Sequence, residues 1–352
     1  MAWDALKELE LISKAVGSQV DMVQGGGGNT SVKLDDRLMA VKASGFKLTQ
    51  ITENQGYVVV NYENIKNYYN QVDLSTDTDY EKDSAEFVKK NIVEVEGVKT
   101  LRPSVEAGFH SILKKFVIHT HPVYANIVCC AQNGKALAER IFAGSELGFI
   151  WVPYINPGFC LTLKIKEEME AAVARTGKVP AVVFMENHGL IVTADTSQEC
   201  LQLHEEVNNE IKKYLSLSES FPIIELEAVD ETTVVSKTEY LRRYFKDWKE
   251  GEEFFDNTVL YPDQLVYLDG HIAVNGEGKK LNINTLTGEV VYKTNYSEAV
   301  TMEQTLLAFL YVVENVRNNG LVLKTLSQRE IDFIKNWESE AYRKSLVKEL
   351  GK

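Results

Sequence analysis

The 352-residue sequence contains no apolar run approaching the roughly 20 residues a helix needs to span a bilayer. Its first residues (MAWDALKELELISKAVG) have neither the basic start nor the apolar centre of a signal peptide, and read as an amphipathic helix. Cysteine is scarce. The four present, Cys129, Cys130, Cys160 and Cys200, show no C-x-x-C spacing and fit reduced, buried thiols in a cytoplasmic protein. Basic residues are outnumbered, 38 Lys and Arg against 51 Asp and Glu, and the formal net charge of -13 argues against a broad nucleic-acid-binding face. A small anionic substrate stays open, because a local pocket of backbone amides and one or two cations can hold it inside an acidic protein. Nothing in the composition marks a membrane protein: 44% hydrophobic and 25% charged residues are ordinary for a globular chain. The length allows one large domain or two of common size.

What is present is a histidine pair. Phe116–His121 (FVIHTH) reads as a buried strand stopped by Pro122, and residues two apart on a strand share a face. His119 and His121 therefore present two imidazoles side by side. A divalent metal needs such a pair plus a third ligand, with one position left open for chemistry. His188 is the candidate third ligand, in a Glu186-Asn187-His188-Gly189 turn between two apolar runs that read as a hairpin. The plain alternative is two half-buried histidines without a metal. Glu106, in Arg102-Pro103-Ser104-Val105-Glu106, reads as first-turn acid of a helix that Ser104 caps, and equally as a base held beside the metal. His110, one turn beyond Glu106, reads as core or as a support for the site. His204 and His271 have no partner legible in sequence.

Gly25–Gly28 followed by Asn29, Thr30 and Ser31 lets backbone N–H groups converge on an anion. It is neither a Walker A loop nor a dinucleotide fingerprint, since no Gly-Lys-Ser/Thr ends it and a strand, not a helix, follows. Lys42-Ala43-Ser44-Gly45 is a second small turn, with the Ser44 hydroxyl and Gly45 amide as donors, and Ser104 at a helix start offers a third. The three make one anion pocket only if they converge in space.

The spacing predicts helices over 1–16 (apolar stripe Ala2, Leu6, Leu9, Leu11, Ile12), 84–93, 104–115, 123–133, 166–175 and from an Asp195 cap to about Ser218. Strands are predicted over 30–33, 37–42, 57–62, 116–121, 148–154 and within 181–194, and an acidic solvated loop over 73–83. Phe221-Pro222 marks a boundary, giving a domain over 1–222 and an accessory α+β region over 223–352. The latter is read as helices at 237–250, 297–318 and 327–349 with strands at 264–268, 271–274 and around Thr287-Gly288. Mixed elements without regular βαβ alternation suggest a layered α/β domain, not a doubly wound sheet.

In order, GGGGNTSVK, VKASG, RPSVEAGFH, HTHP and ENHGLIV resemble the class II aldolase/adducin family across about residues 1–220, and most closely the aldolase-like half of fusions with a short-chain dehydrogenase. The resemblance implies a three-layer α/β/α fold with a central, largely antiparallel sheet. It implies a zinc-dependent lyase (or one using manganese, iron or cobalt) that cleaves a C–C bond of a sugar phosphate or related ketose by a retro-aldol route through a metal-bound enediolate. The metal ligands fall on His119, His121 and His188, the catalytic glutamate on Glu106, and the phosphate-holding positions on Asn29, Ser44, Gly45 and Ser104. A homo-oligomer, tetrameric in the family, is implied too. The chain departs from the pattern at Val105, where the family has a second phosphate serine, and the family's proton-donor tyrosine has no assigned counterpart. The same scaffold serves decarboxylases, epimerases and dehydratases, and non-catalytic adducin-like proteins.

Overall fold

The computed structural model describes residues 2–217 and 220–336. The chain divides into two compact units, one of residues 1–129 and 134–214, the other of residues 130–133 and 215–352.

The first unit runs α1 (Ala2–Gly17), β1 (Asn29–Lys33), β2 (Leu38–Lys42), β3 (Tyr57–Asn61), α2 (Tyr62–Gln71), α3 (Tyr80–Lys90), α4 (Ala107–Ile112), β4 (Phe116–Thr120), α5 (Val123–Cys129), α6 (Gly134–Ile141), β5 (Phe149–Val152), α7 (Phe159–Thr176), β6 (Val182–Met185), β7 (Gly189–Ala194) and α8 (Ser197–Tyr214). Its strands form one seven-stranded sheet in the order β3-β2-β1-β4-β7-β6-β5. Every neighbouring pair is antiparallel except β5 and β6. This is the largely antiparallel, helix-flanked sheet expected.

Strand parity decides what each face carries. Val117 shares a face of β4 with His119, and with Val183, Ile191, Ile150 and Val152 it packs against Phe109 of α4 and Leu161 and Ile165 of α7. Burying each such side chain stabilises by about 1.5–3 kcal/mol. Ile118 and Thr120 point the other way, to the face covered by α8, where Thr120 meets His204. Register then places Asn29 of β1 directly opposite His119.

Several expected boundaries move, each for a local reason. The helix expected over 104–115 begins only at Ala107, and its N-cap residue is Glu106, with Ser104 outside it. Pro103 bridges to Ala43 and the Ser104 amide donates to the Lys42 carbonyl at 3.2 Å, so this segment stays extended beside β2. The expected acidic loop over 73–83 is helical from Tyr80, because the Asp79 carboxylate accepts from the Lys82 amide at 3.1 Å and Glu81 and Asp83 favour a first turn. A helix read as continuous over 123–133 is α5 alone, and α6 follows it. Helix α7 starts at Phe159, seven residues before the expected 166. At α8 the Glu199 amide donates to the Thr196 hydroxyl at 3.2 Å, while Asp195 is exposed and pairs with Lys114. Leu11 is 54% exposed and does not belong to the buried stripe of α1.

The second unit contains β8 (Leu226–Asp230), β9 (Thr233–Ser236), α9 (Glu239–Phe245), α10 (Glu253–Asn257), α11 (Pro262–Tyr267), β10 (Ile272–Val274), β11 (Leu281–Asn284), β12 (Glu289–Tyr292), α12 (Tyr296–Asn318) and α13 (Gln328–Asn336). It is an α+β unit with a five-stranded sheet ordered β10-β11-β12-β9-β8. The strand expected over 264–268 is instead α11. Pro262 in its first turn follows the extended cap Tyr261, and the Gln264 side chain ties back to the Leu260 amide at 3.0 Å and the Thr258 carbonyl at 2.9 Å. Glu303 of α12 is buried and accepts from Ser236, Thr238 and Tyr292; burial raises its pKa. Met1, the expected helix end at Ser218 and residues 337–349 of the expected last helix lie outside the described residues.

Candidate metal centre

Two segments bring the histidines together. His119 ends the apolar run of β4, His121 follows on the same face, and His188 sits in the turn between β6 and β7. That turn reverses the chain between Met185 and Gly189, with Asn187 at φ 51° and the His188 amide donating to the Met185 carbonyl at 3.2 Å. Gly189 is required by close approach: a Cβ there would lie 2.4 Å from the Thr120 carbonyl oxygen and 3.0 Å from His121 Cδ2.

One ligand atom from each of His119, His121 and His188 lies within 4.8 Å of the others, and all three residues are buried. His119 Nδ1 lies 3.0 Å from the Leu190 carbonyl, which can only accept, so Nδ1 carries the proton and Nε2 presents a lone pair. His121 Nε2 stands 3.2 Å from His119 Nε2. Two metal–nitrogen bonds of about 2.0–2.1 Å in a tetrahedron place their nitrogens roughly 3.3 Å apart. Donor type, spacing and the fixed tautomer of His119 therefore fit a divalent cation.

Glu106 faces this cluster. Its two carboxylate oxygens lie 3.5 Å from His119 Nε2 and 3.5 Å from His188 Nε2. It is only 2% exposed, although it precedes a helix of six residues. Asn29 Nδ2 donates to Glu106 Oε2 at 2.6 Å and to Ser104 Oγ at 3.3 Å. The Ser104 hydroxyl also accepts the Glu106 amide at 3.3 Å.

The glycine loop, the Lys42–Gly45 turn and the Arg102–Glu106 segment do converge. Lys42 Nζ donates to the Gly26 carbonyl at 3.2 Å, the Ser44 amide donates to the Arg102 carbonyl at 2.8 Å, and Asn29 reaches Ser104. Gly28, at φ +64°, brings its loop so near β4 that a Cβ would lie 2.6 Å from the His119 carbonyl oxygen. The Ser44 amide is thus engaged, and Ser44 and Gly45 are half-buried. Lys42, a buried cation at the centre of the three segments, was not singled out in sequence. Its position at the end of a strand just before a small polar turn was the available signal.

His110 and His204 are core histidines with partners. His110 lies 2.7 Å from Ser31 Oγ through Nδ1 and meets Asn29 Oδ1 through Nε2. Burial lowers its pKa to about 3, against the opposing pull of Glu106. His204 Nε2 lies 2.6 Å from Thr120 Oγ1, and burial lowers its pKa to about 4. Neither histidine pairing was legible in sequence, since both cross from a helix to a strand.

Residues 8–215 match the family model of the class II aldolase and adducin N-terminal domain. The chain is 31% identical over 220 residues to the uncharacterized oxidoreductase YuxG of Bacillus subtilis (strain 168), covering 60% of this chain and 30% of that protein. The match thus spans less than a third of that relative's length. Among solved structures, the N-terminal class II aldolase domain of a conserved protein from Thermoplasma acidophilum is 25% identical, with a TM-score of 0.48 over 60% of this chain and 93% of that one. An L-fuculose 1-phosphate aldolase is 22% identical, with a TM-score of 0.40 over 61% of this chain and 88% of that one. Among the described residues no helix is long and apolar enough to cross a membrane.

Proposed function

The chain belongs to the class II aldolase and adducin N-terminal domain family, and from that premise we propose that it is a zinc-dependent lyase cleaving a C–C bond of a sugar phosphate or related ketose by a retro-aldol reaction. The observation that carries this reading is the three-histidine cluster with the Glu106 carboxylate 3.5 Å from two of its nitrogens. An adducin-like scaffold has no need to bury a carboxylate against three imidazoles. Three nitrogen ligands suit zinc, with manganese, iron or cobalt as substitutes. When bound, the metal supplies a Lewis acid for the substrate's carbonyl and hydroxyl oxygens.

In cleavage the hydroxyl on the departing carbon loses its proton to solvent as the C–C bond breaks, and Glu106, having taken up a proton, delivers it to the carbon beside the carbonyl; in condensation the ionised carboxylate removes that proton. Asn29 holds that carboxylate in place. The Ser104 and Ser44 hydroxyls and the Gly45 amide receive the substrate's anionic group, with buried Lys42 beside them, while Asn29, expected to share that task, has both amide hydrogens engaged by Glu106 and Ser104. Assembly as a homo-oligomer, tetrameric by family resemblance, and a cytoplasmic location belong to the same proposal.

A second reading, a decarboxylase, epimerase or dehydratase on the same metal site, is favoured by Val105, an apolar residue where the family pattern has a second phosphate-binding serine. Incubating the zinc-loaded chain with a panel of ketose 1-phosphates separates the two. The lyase releases an aldehyde and dihydroxyacetone phosphate in equal amounts. A product that keeps every C–C bond, or carbon dioxide release from a sugar acid, moves the protein to the second reading.

A further inference from the structure

His110 has no part in binding metal or substrate in the reading above, yet it is wholly buried and bonded at both ring nitrogens. Asn29 and Ser31, two apart on β1, present their side chains to the same face, and the His110 ring on α4 spans both. The chemistry of the end groups fixes the direction of each bond. The Glu106 carboxylate only accepts when ionised, so the Asn29 group facing it is the amide nitrogen, as the 2.6 Å contact has it. Asn29 Oδ1 must then accept, which puts a proton on His110 Nε2. In a singly protonated ring Nδ1 is left as acceptor for the Ser31 hydroxyl.

We propose that His110 is a positioning residue which, as the Nε2–H tautomer, locks the Asn29 amide so that its N–H groups face Glu106 and Ser104. Ser31 closes the far end of this chain of hydrogen bonds. Without the lock, Asn29 can rotate and offer its carbonyl to Glu106, which repels the carboxylate from its place beside His119 and His188. The depressed pKa of His110 agrees with a singly protonated ring. The inference rests on Glu106 as the group that moves the proton.

The test has two arms on the zinc-loaded full chain. Long-range proton–nitrogen correlations on histidine-labelled protein, with the His110 signals assigned by their loss in His110→Gln, are expected to show the proton on Nε2. A proton on Nδ1 alone overturns the proposal, because Asn29 would then have to face the other way. In ketose 1-phosphate cleavage at matched zinc content, His110→Leu is expected to lower kcat about 10- to 100-fold with KM unchanged. His110→Gln, which keeps an N–H donor and a carbonyl, should recover most of it. Wild-type kcat in a folded His110→Leu chain, or no recovery with Gln, contradicts the proposal. Should His110→Leu fail to fold, Ser31→Ala carries the same comparison: a smaller kcat loss of the same kind supports the lock, and wild-type kcat refutes it. A wild-type chain that cleaves no ketose phosphate counts against the lyase reading, while the tautomer still decides the lock.

Discussion

Asn29 and Glu106, 77 positions apart in sequence, are joined by a 2.6 Å hydrogen bond between two buried side chains. Asn29 closes the glycine loop and pairs in register with His119. Glu106 caps a short helix on the same face. The residue that ends the glycine loop thus grips the carboxylate beside the three histidines.

Replacing Glu106 with Gln keeps the size of the side chain and one acceptor oxygen for Asn29, and removes its ability to take a proton. Turnover is expected to fall by about 10²–10⁴-fold, with zinc content unchanged. Elemental analysis alongside kinetics checks this, and full activity in Glu106→Gln would assign proton transfer elsewhere.

Gly189→Ala places a methyl against the Thr120 carbonyl and the His121 ring, at 2.4 and 3.0 Å before relaxation. Overpacking of this kind costs about 1–3 kcal/mol, so the urea midpoint of the metal-free protein should fall. Because one of the displaced atoms belongs to His121, zinc affinity should weaken too. Unchanged midpoint and affinity would show that the turn adjusts without cost.

His204 contributes a pH dependence whose sign is fixed. Its folded pKa, lowered to about 4 from the ordinary 6.5, means the unfolded chain takes up the proton first on acidification. Stability from this group is complete above pH 6.5 and is lost as pH falls towards 4, by up to about 3 kcal/mol. In the metal-free protein His204→Gln should flatten the urea midpoint against pH in that window. An equally steep dependence in the variant would place the acid sensitivity in other groups.

Much of the candidate site was legible because it follows strand arithmetic. The parity of His119 and His121, the apolar runs around His188 and the family order of motifs do not need tertiary information. The helix start at Ser104 was misread because the pairing of Pro103 with Ala43 is tertiary and overrides the local capping signal. The helix at 262–267 was read as a strand because its apolar residues suit either period. There Pro262 and the Gln264 side-chain bonds, not hydrophobic pattern, decide. The bonds from His110 to Asn29 and from His204 to Thr120 depend on which helix lies over which strand.

The metal content of the full chain, purified without chelators or a histidine tag and measured by elemental mass spectrometry, tests the metal centre most directly. About one zinc per chain is expected, falling close to none in His119→Ala with the fold retained. A chain that holds no metal after reconstitution with excess zinc would contradict the three-histidine centre and the lyase reading with it.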